Sequence, residues 1–155
     1  MLFGPVSSAR GRPGPLEYIF FGGLACFVVW SLARDWKRSK RIRQYAQGKG
    51  FLYIGAYLPS SFPFSETSVN WAGSTANAVD GDRGGKRVLF FDCKLGSGKG
   101  RRTQTVVAVR AAPECFSPGS IWPFMTTERI GDWALFYRSK ERLPLVEIDA
   151  LLAEV

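Results

Sequence analysis

The 155-residue sequence contains no histidine. Imidazole is the usual general base near neutral pH and the commonest metal ligand, so Ser-His-Asp and Cys-His mechanisms are excluded within this chain. The three cysteines, Cys26, Cys93 and Cys115, are odd in number and form no CxxC pair. We interpret them as packing residues rather than as a disulfide framework or a metal site, and we predict no cofactor.

Acidic residues are scarce near the N-terminus, and this scarcity accounts for most of the net charge of +8. Residues 1–47 hold 8 Lys and Arg against Glu17 and Asp35, a net +6, whereas residues 48–155 hold 13 against 11 acidic residues, a net +2. A nucleic-acid-binding domain concentrates positive charge on its folded part. The globular part is close to neutral here, so we predict no nucleic-acid partner.

One long apolar run is present, from Leu16 to Ala33, with Glu17 as its single charge. Eighteen residues at about 1.5 Å each cover roughly 27 Å, which is enough for a slightly thin bilayer. Apolar side chains surround the whole circumference, so the helix has no polar stripe with which to face water. Tyr18 lies near one end and Trp30 near the other, as interfacial aromatic residues do. The pattern predicts a transmembrane helix over residues 16–33, after a disordered tail over residues 1–15 that is rich in Gly and Pro.

A cleaved signal peptide is the alternative interpretation of this run, because Arg10 and Arg12 precede it and residues 31–33 resemble a cleavage site. The run is longer than a usual signal-peptide core, and a basic cluster that resists translocation follows it. We therefore favour an uncleaved signal anchor. Six basic residues follow the helix and two precede it, so the positive-inside rule places the C-terminal domain in the cytoplasm.

The basic cluster is predicted to continue as a juxtamembrane helix over residues 34–47. Its first role is to set topology, and its second is attraction to anionic lipids, worth about 1 kcal/mol for each basic residue close to the surface. A second group of basic residues lies in a Gly-rich segment later in the chain. The candidate contacts with lipid or a partner are Arg34, Lys37, Arg38, Lys40, Arg41, Arg43, Lys99, Arg101 and Arg102.

Residues 48–155 are predicted to form an α+β domain with a mostly antiparallel sheet and a C-terminal helix that begins near Pro144. Strands are expected at 51–54, 77–81, 87–95, 103–110 and 133–137, from alternating apolar residues separated by turn residues. Side chains alternate across a strand, so odd-numbered residues from 89 to 95 share one face and even-numbered ones share the other. This alternation predicts a sheet with one fully buried face, and Phe62 and Phe64 are placed over the core.

The stretch from Asn77 to Val109 resembles a group of bacterial membrane-anchored proteins of unknown activity. Asn77, Gly81, the pair Phe91-Asp92 and the run over residues 104–109 match the shared pattern, whereas Cys93 stands where that pattern has an aromatic residue. The Gly-Phe-x-Tyr element at 50–53 is also similar. The resemblance covers about half the chain, implies the same architecture and carries no activity.

Two loop motifs resemble ligand-binding loops, but their residue spacing does not match those loops. The segment 96–100 is Gly-rich, yet a phosphate-binding loop would need glycine at Cys93 and Ser or Thr at Gly100. Asp80-Gly81-Asp82 resembles the start of a calcium loop, which would need glutamate at Phe91. We interpret both as turns. The scattered Trp71, Trp122 and Trp133 are interpreted as buried residues rather than as a ligand-stacking platform.

These observations leave three hypotheses for function. The leading one is a non-catalytic, membrane-tethered cytoplasmic interaction or accessory domain whose partners are the lipid bilayer and another membrane or envelope protein. The second is a peripheral module that binds anionic lipids. The third is a carboxylate-dependent enzyme that uses Asp80, Asp82 or Asp92 with an unidentified cofactor.

Overall fold

A computed structural model describes residues 15–70, 72–96, 102–110 and 124–154, with side chains from residue 19 onward. The chain divides into two compact units between Arg38 and Ser39. The elements in chain order are α1 (Pro15–Lys49), β1 (Leu52–Gly55), a short 3₁₀ helix (Phe64–Glu66), β2 (Ser74–Arg83), β3 (Lys86–Leu95), β4 (Arg102–Arg110), β5 (Thr126–Ile130), β6 (Trp133–Tyr137) and α2 (Leu145–Ala153).

The first unit consists, where it is described, of the N-terminal part of α1. Its large apolar side chains are exposed on all sides, which is the pattern that the sequence predicts for a helix without a polar stripe. Among the described residues, this helix alone is long and apolar enough to cross a membrane. The exposed side chains are Ile19, Phe20, Phe21, Leu24, Phe27, Val28, Val29, Trp30, Leu32 and Trp36.

The described part of the second unit is built on a six-stranded antiparallel sheet in the order β1-β2-β3-β4-β6-β5. The β2–β3 hairpin closes through Gly84 and Gly85, whose φ angles of 60° and 75° suit the tight turn that matches the twist of the strands. Helix α2 follows the last strand. The predicted α+β layout is therefore confirmed.

Both faces of the sheet are buried, whereas the sequence predicted one. The first, called here the helix face, includes Val88, Phe90 and Val107 and packs against Ile42 of α1 and Leu152 of α2. The second, called the loop face, includes Leu89, Phe91, Cys93, Val106 and Leu135 and is covered by Phe62 and Val69 from the segment between β1 and β2. Helices and a loop thus cover opposite sides of the same strands.

Strand β5 is the element that the sequence analysis missed. It has the sequence Thr-Thr-Glu-Arg-Ile at the edge of the sheet, and Ile130 is its only buried residue. An edge strand pairs through its backbone on one side and has little apolar alternation to reveal it. Its pairing with the predicted strand β6 extends the sheet beyond Trp133.

Gly81 of β2 has a packing role. A Cβ atom at this position would lie 2.3 Å from Cδ1 of Phe51, which is closer than two non-bonded carbon atoms approach each other in proteins. The ring of Phe51 therefore lies directly against the backbone of β2. Only glycine leaves that space, which gives a structural reason for Gly81 in the pattern described above.

Candidate functional site

A buried polar cluster lies on the otherwise apolar helix face, centred on Asp92 of β3. The Asp92 side chain is 1% exposed. Its carboxylate accepts hydrogen bonds from Nδ2 of Asn77 at 2.9 Å and from Oγ1 of Thr105 at 2.7 Å. A buried carboxylate needs such donors, because burial removes the water that would otherwise solvate it.

Asn77 connects this cluster to helix α1 and strand β1. Its Oδ1 atom accepts a hydrogen bond from the Ser39 hydroxyl at 2.6 Å and one from the Tyr53 hydroxyl at 3.2 Å. Asn77 lies in a bulge of β2 and has a φ of 54°, a left-handed conformation that asparagine tolerates better than most residues. The bulge turns the amide of Asn77 towards Asp92.

Thr105 connects the cluster to the chain segment that precedes α2. Its hydroxyl accepts a hydrogen bond from the backbone N–H of Leu143 at 3.1 Å, and its own N–H donates to the carbonyl of Glu141 at 2.9 Å. The cluster thus joins α1, β1, β2, β3, β4 and the segment that precedes α2. We infer a structural role, because the described side chains enclose this carboxylate, whereas a catalytic carboxylate must reach its substrate.

The three carboxylates of the enzyme hypothesis do not converge. Asp80 and Asp82 pair across the sheet with Leu89 and Arg87, whose side chains lie on the loop face, whereas Asp92 lies on the helix face. Asp80 also holds Arg87 through two hydrogen bonds of 2.9 and 2.7 Å. No cluster of three or more His, Cys, Asp or Glu side chains suited to a metal ion occurs among the described residues.

Cys93 is a core residue, as predicted, and it is unsuited to nucleophilic chemistry. The side chain is fully buried on the loop face. Burial, together with the nearby charge of Asp92, raises the pKa of the Cys93 thiol to about 12. Cys26 is exposed on α1, and neither of these two cysteines forms a disulfide. Cys115 lies outside the described residues.

Of the three scattered tryptophans, Trp133 lies among the described residues. Trp133 is 2% exposed and makes an edge-to-face contact with Phe62 at a centroid distance of 5.2 Å. Phe64 contacts Phe91 in the same way at 6.0 Å, so both phenylalanines cover the core as predicted. Trp71 and Trp122 lie outside the described residues.

The candidate basic residues fall into both units. Arg34, Lys37 and Arg38 belong to the first unit, and Lys40, Arg41, Arg43 and Arg102 belong to the second. All of them except the half-buried Arg38 are exposed. Two stack on aromatic rings, Arg34 over Trp30 at 5.1 Å and Arg43 over Tyr53 at 4.9 Å. Lys99 and Arg101 lie outside the described residues.

An ionic cluster around Asp149 of α2 was not predicted from the sequence. Its carboxylate contacts Nζ of Lys49 at 2.8 Å and Nη1 of Arg83 at 3.0 Å and accepts a hydrogen bond from the Tyr45 hydroxyl at 2.9 Å. Lys49 above all, and then Tyr45 and Arg83, hold the pKa of Asp149 down at about 2. Burial, followed by the hydrogen bond to Asp149, raises the pKa of Tyr45. This cluster fastens the end of α1 to α2 and to the β2–β3 hairpin.

Comparison of the chain with family models, with curated proteins and with solved structures finds no match. The resemblance to bacterial membrane-anchored proteins therefore stays a prediction. Its marked positions nevertheless have local structural reasons in this fold. Asn77 and Asp92 bind each other, and Gly81 makes room for Phe51.

Proposed function

We propose that this protein is a non-catalytic interaction domain, held at the cytoplasmic surface of a bacterial membrane by an uncleaved N-terminal signal anchor. The observation that carries the proposal is the apolar surface of α1 in the first unit. Large side chains such as Ile19 and Trp36 are 72% and 66% exposed there. Hydrocarbon is the solvent that such a surface prefers, because water would have to solvate apolar groups on every side.

The charge distribution supports the cytoplasmic orientation. Lys37, Lys40, Arg41 and Arg43 follow the apolar segment and remain exposed on α1. Exposed cations immediately after a membrane helix stay on the side where they were synthesised. The two arginines before the helix are fewer, so the N-terminal tail is the part that crosses.

The arrangement of the polar residues supports a non-catalytic role. Asp92 is enclosed within the core, and Asp80 lies across the sheet from it in an ion pair with Arg87. A tethered domain whose described residues form no reaction centre acts through what it binds. The anchor raises the effective concentration of proteins of the same membrane or envelope around the domain, so we assign the partner to that class.

Membrane insertion is tested by alkaline carbonate extraction of membranes that contain the full chain with a C-terminal tag. We expect the chain to stay in the membrane pellet with its full mass. Leu24→Lys combined with Val28→Lys places two charges in the apolar segment and should release the chain, whereas Leu24→Ala combined with Val28→Ala should leave it in the pellet. Release of the unaltered chain, or loss of the residues before Arg34, would refute the anchor.

Orientation is tested with a membrane-impermeant maleimide and the Tyr57→Cys variant, since Tyr57 is 81% exposed. Cys26→Ala and Cys115→Ser remove the other thiols, and Cys93 can remain because it is buried. We expect labelling only after the cells are opened. Labelling in intact cells would place the domain outside. Crosslinking in membranes should then recover a second membrane or envelope protein, and repeated recovery of this chain alone would count against an interaction domain.

A further inference from the structure

Three basic residues gather at one end of the sheet in the second unit. The register pairs Leu95 with Arg102, Val106 with Tyr137 and Tyr137 with Thr126, so β3 and β6 run towards this end of the sheet and β4 and β5 run away from it. Lys94 and Arg102 are at the ends of their strands, and the backbone N–H of Lys140 donates to Oε1 of Gln104 in β4 at 2.9 Å. Lys94, Arg102 and Lys140 are called the cationic end below.

The charges of the cationic end are not neutralised within the described part of the chain. Arg102 and Lys140 are exposed, Lys94 is half-buried, and none of the three forms an ion pair with a described residue. In the described segment that follows β6, residues 138–142, Glu141 is the one carboxylate, and it is exposed. The opposite end differs, because Arg110 pairs there with Asp132 and Arg83 pairs with Asp149.

An exposed aromatic residue accompanies these cations. Phe124 lies two residues before β5, and β5 starts on the side of the sheet where the cationic end lies, because Thr126 pairs with Tyr137 and Tyr137 pairs with Val106 of β4. The Phe124 side chain is 89% exposed. A large exposed aromatic side chain together with cations that form no ion pair among the described residues is a combination that binds the interfacial layer of an anionic bilayer, where rings enter the headgroup region and cations meet phosphate.

The chain between the predicted membrane segment and the second unit is short. Ser39 is the first residue of the second unit and donates a hydrogen bond to Asn77. Asn77 in turn donates to Asp92, and Asp92 lies three residues before Leu95, the last residue of β3. Ser39 follows Ala33, the last residue of the predicted membrane segment, by six residues. Six residues span at most about 22 Å even when fully extended. A surface tethered this closely meets headgroups at a high effective concentration.

We propose that the cationic end docks on anionic lipid headgroups of the bilayer that holds the anchor, with Phe124 in the interfacial layer. This inference rests on the membrane tether of the proposed function. It commits to the lipid surface as the partner and assigns the contact to Lys94, Arg102, Lys140 and Phe124.

The test uses the full chain in vesicles of phosphatidylcholine alone or with about a third of phosphatidylglycerol, both with quencher groups on the lipid chains. A fluorescent maleimide is attached through Ser139→Cys, beside Lys140, or through Asp82→Cys, at the opposite end, in the Cys26→Ala, Cys115→Ser background. We expect quenching of the Ser139→Cys label in anionic vesicles only, and little quenching of the Asp82→Cys label. The triple variant with Lys94→Gln, Arg102→Gln and Lys140→Gln should abolish the quenching of the Ser139→Cys label, since each cation contributes about fivefold to binding.

A matched control keeps the charge through Lys94→Arg, Arg102→Lys and Lys140→Arg, and should retain the quenching. Phe124→Ala, which leaves every charge in place, should reduce it and provides a second readout if the triple glutamine variant fails to fold. The inference is overturned if the Ser139→Cys label is unquenched in carbonate-resistant vesicles, equally quenched without phosphatidylglycerol, or unaffected by both variants. Release of the chain by carbonate would instead contradict the proposed function itself.

Discussion

Replacing Asp92 by alanine should destabilise the second unit strongly, because the change leaves two buried donors without their acceptor. Nδ2 of Asn77 and Oγ1 of Thr105 both donate to this carboxylate within the core. An unsatisfied buried donor costs about 1–3 kcal/mol, so the expected loss in the free energy of unfolding is about 4 kcal/mol. Asp92→Asn keeps the shape and one acceptor, so its loss should be about half as large.

The neighbouring thiol provides the assay. Cys93 is fully buried, so a thiol reagent reaches it only when the domain opens. Under conditions in which closing is faster than labelling, the labelling rate is proportional to the population of open molecules. A loss of about 4 kcal/mol then raises the rate about a thousandfold. The full chain in mild detergent, with Cys26→Ala and Cys115→Ser, reports on this one thiol.

Asp82→Asn is the matched control, because it removes the same charge from an exposed position on the other face of the sheet. Its labelling rate should stay within about twofold of the parent, as exposed substitutions usually change stability by less than about 0.5 kcal/mol. The rate in denaturant corrects each variant for its intrinsic thiol reactivity. If Asp92→Ala labels less than about tenfold faster than the parent, the hydrogen bonds of the polar cluster do not stabilise the fold.

Two further predictions concern other parts of the second unit. Gly81→Ala should cost about 1–3 kcal/mol, because its Cβ atom overlaps the Phe51 ring, and adding Phe51→Leu should recover part of that loss in chemical denaturation; simple additivity of the two changes would contradict the overlap. The pKa of Asp149 is about 2 in the folded state against an ordinary value of 3.8, so its contribution to stability is complete above about pH 4 and is lost as the pH falls towards 2. Because this carboxylate is 38% exposed, the loss should stay below about 1 kcal/mol, and Asp149→Asn should remove it from acid-denaturation curves; an unchanged acid slope would refute the assignment.

The local sequence pattern was sufficient to predict the principal helix and strands of this protein. The apolar run before Arg34 predicted a helix with no polar side, and the alternation from Val88 to Leu95 predicted a strand with defined faces. Gly84 and Gly85 are turn residues between the predicted strands at 77–81 and 87–95. Each of these signals comes from residues that are close in the sequence, because helix and strand periodicity and turn conformation are local properties.

The buried cluster was open to sequence reasoning only in part. Asp92 and Thr105 stand out as polar residues within apolar strands, and that contrast is a signal of a buried partner. The identity of the partners was not accessible, since Ser39 and Asn77 are 38 residues apart and meet only through the packing of α1 on β2. The cluster around Asp149 has the same origin, with Tyr45 and Asp149 separated by 104 residues.

Composition and hydropathy thus established an apolar helix, a basic segment and an antiparallel domain without imidazole chemistry, because these depend on residue type and spacing alone. Three-dimensional packing was needed to bury both faces of the sheet, to separate Asp80 from Asp92 and to bring Lys94, Arg102 and Lys140 to one end. Strand order and register bring distant residues together, and no short stretch of sequence specifies either.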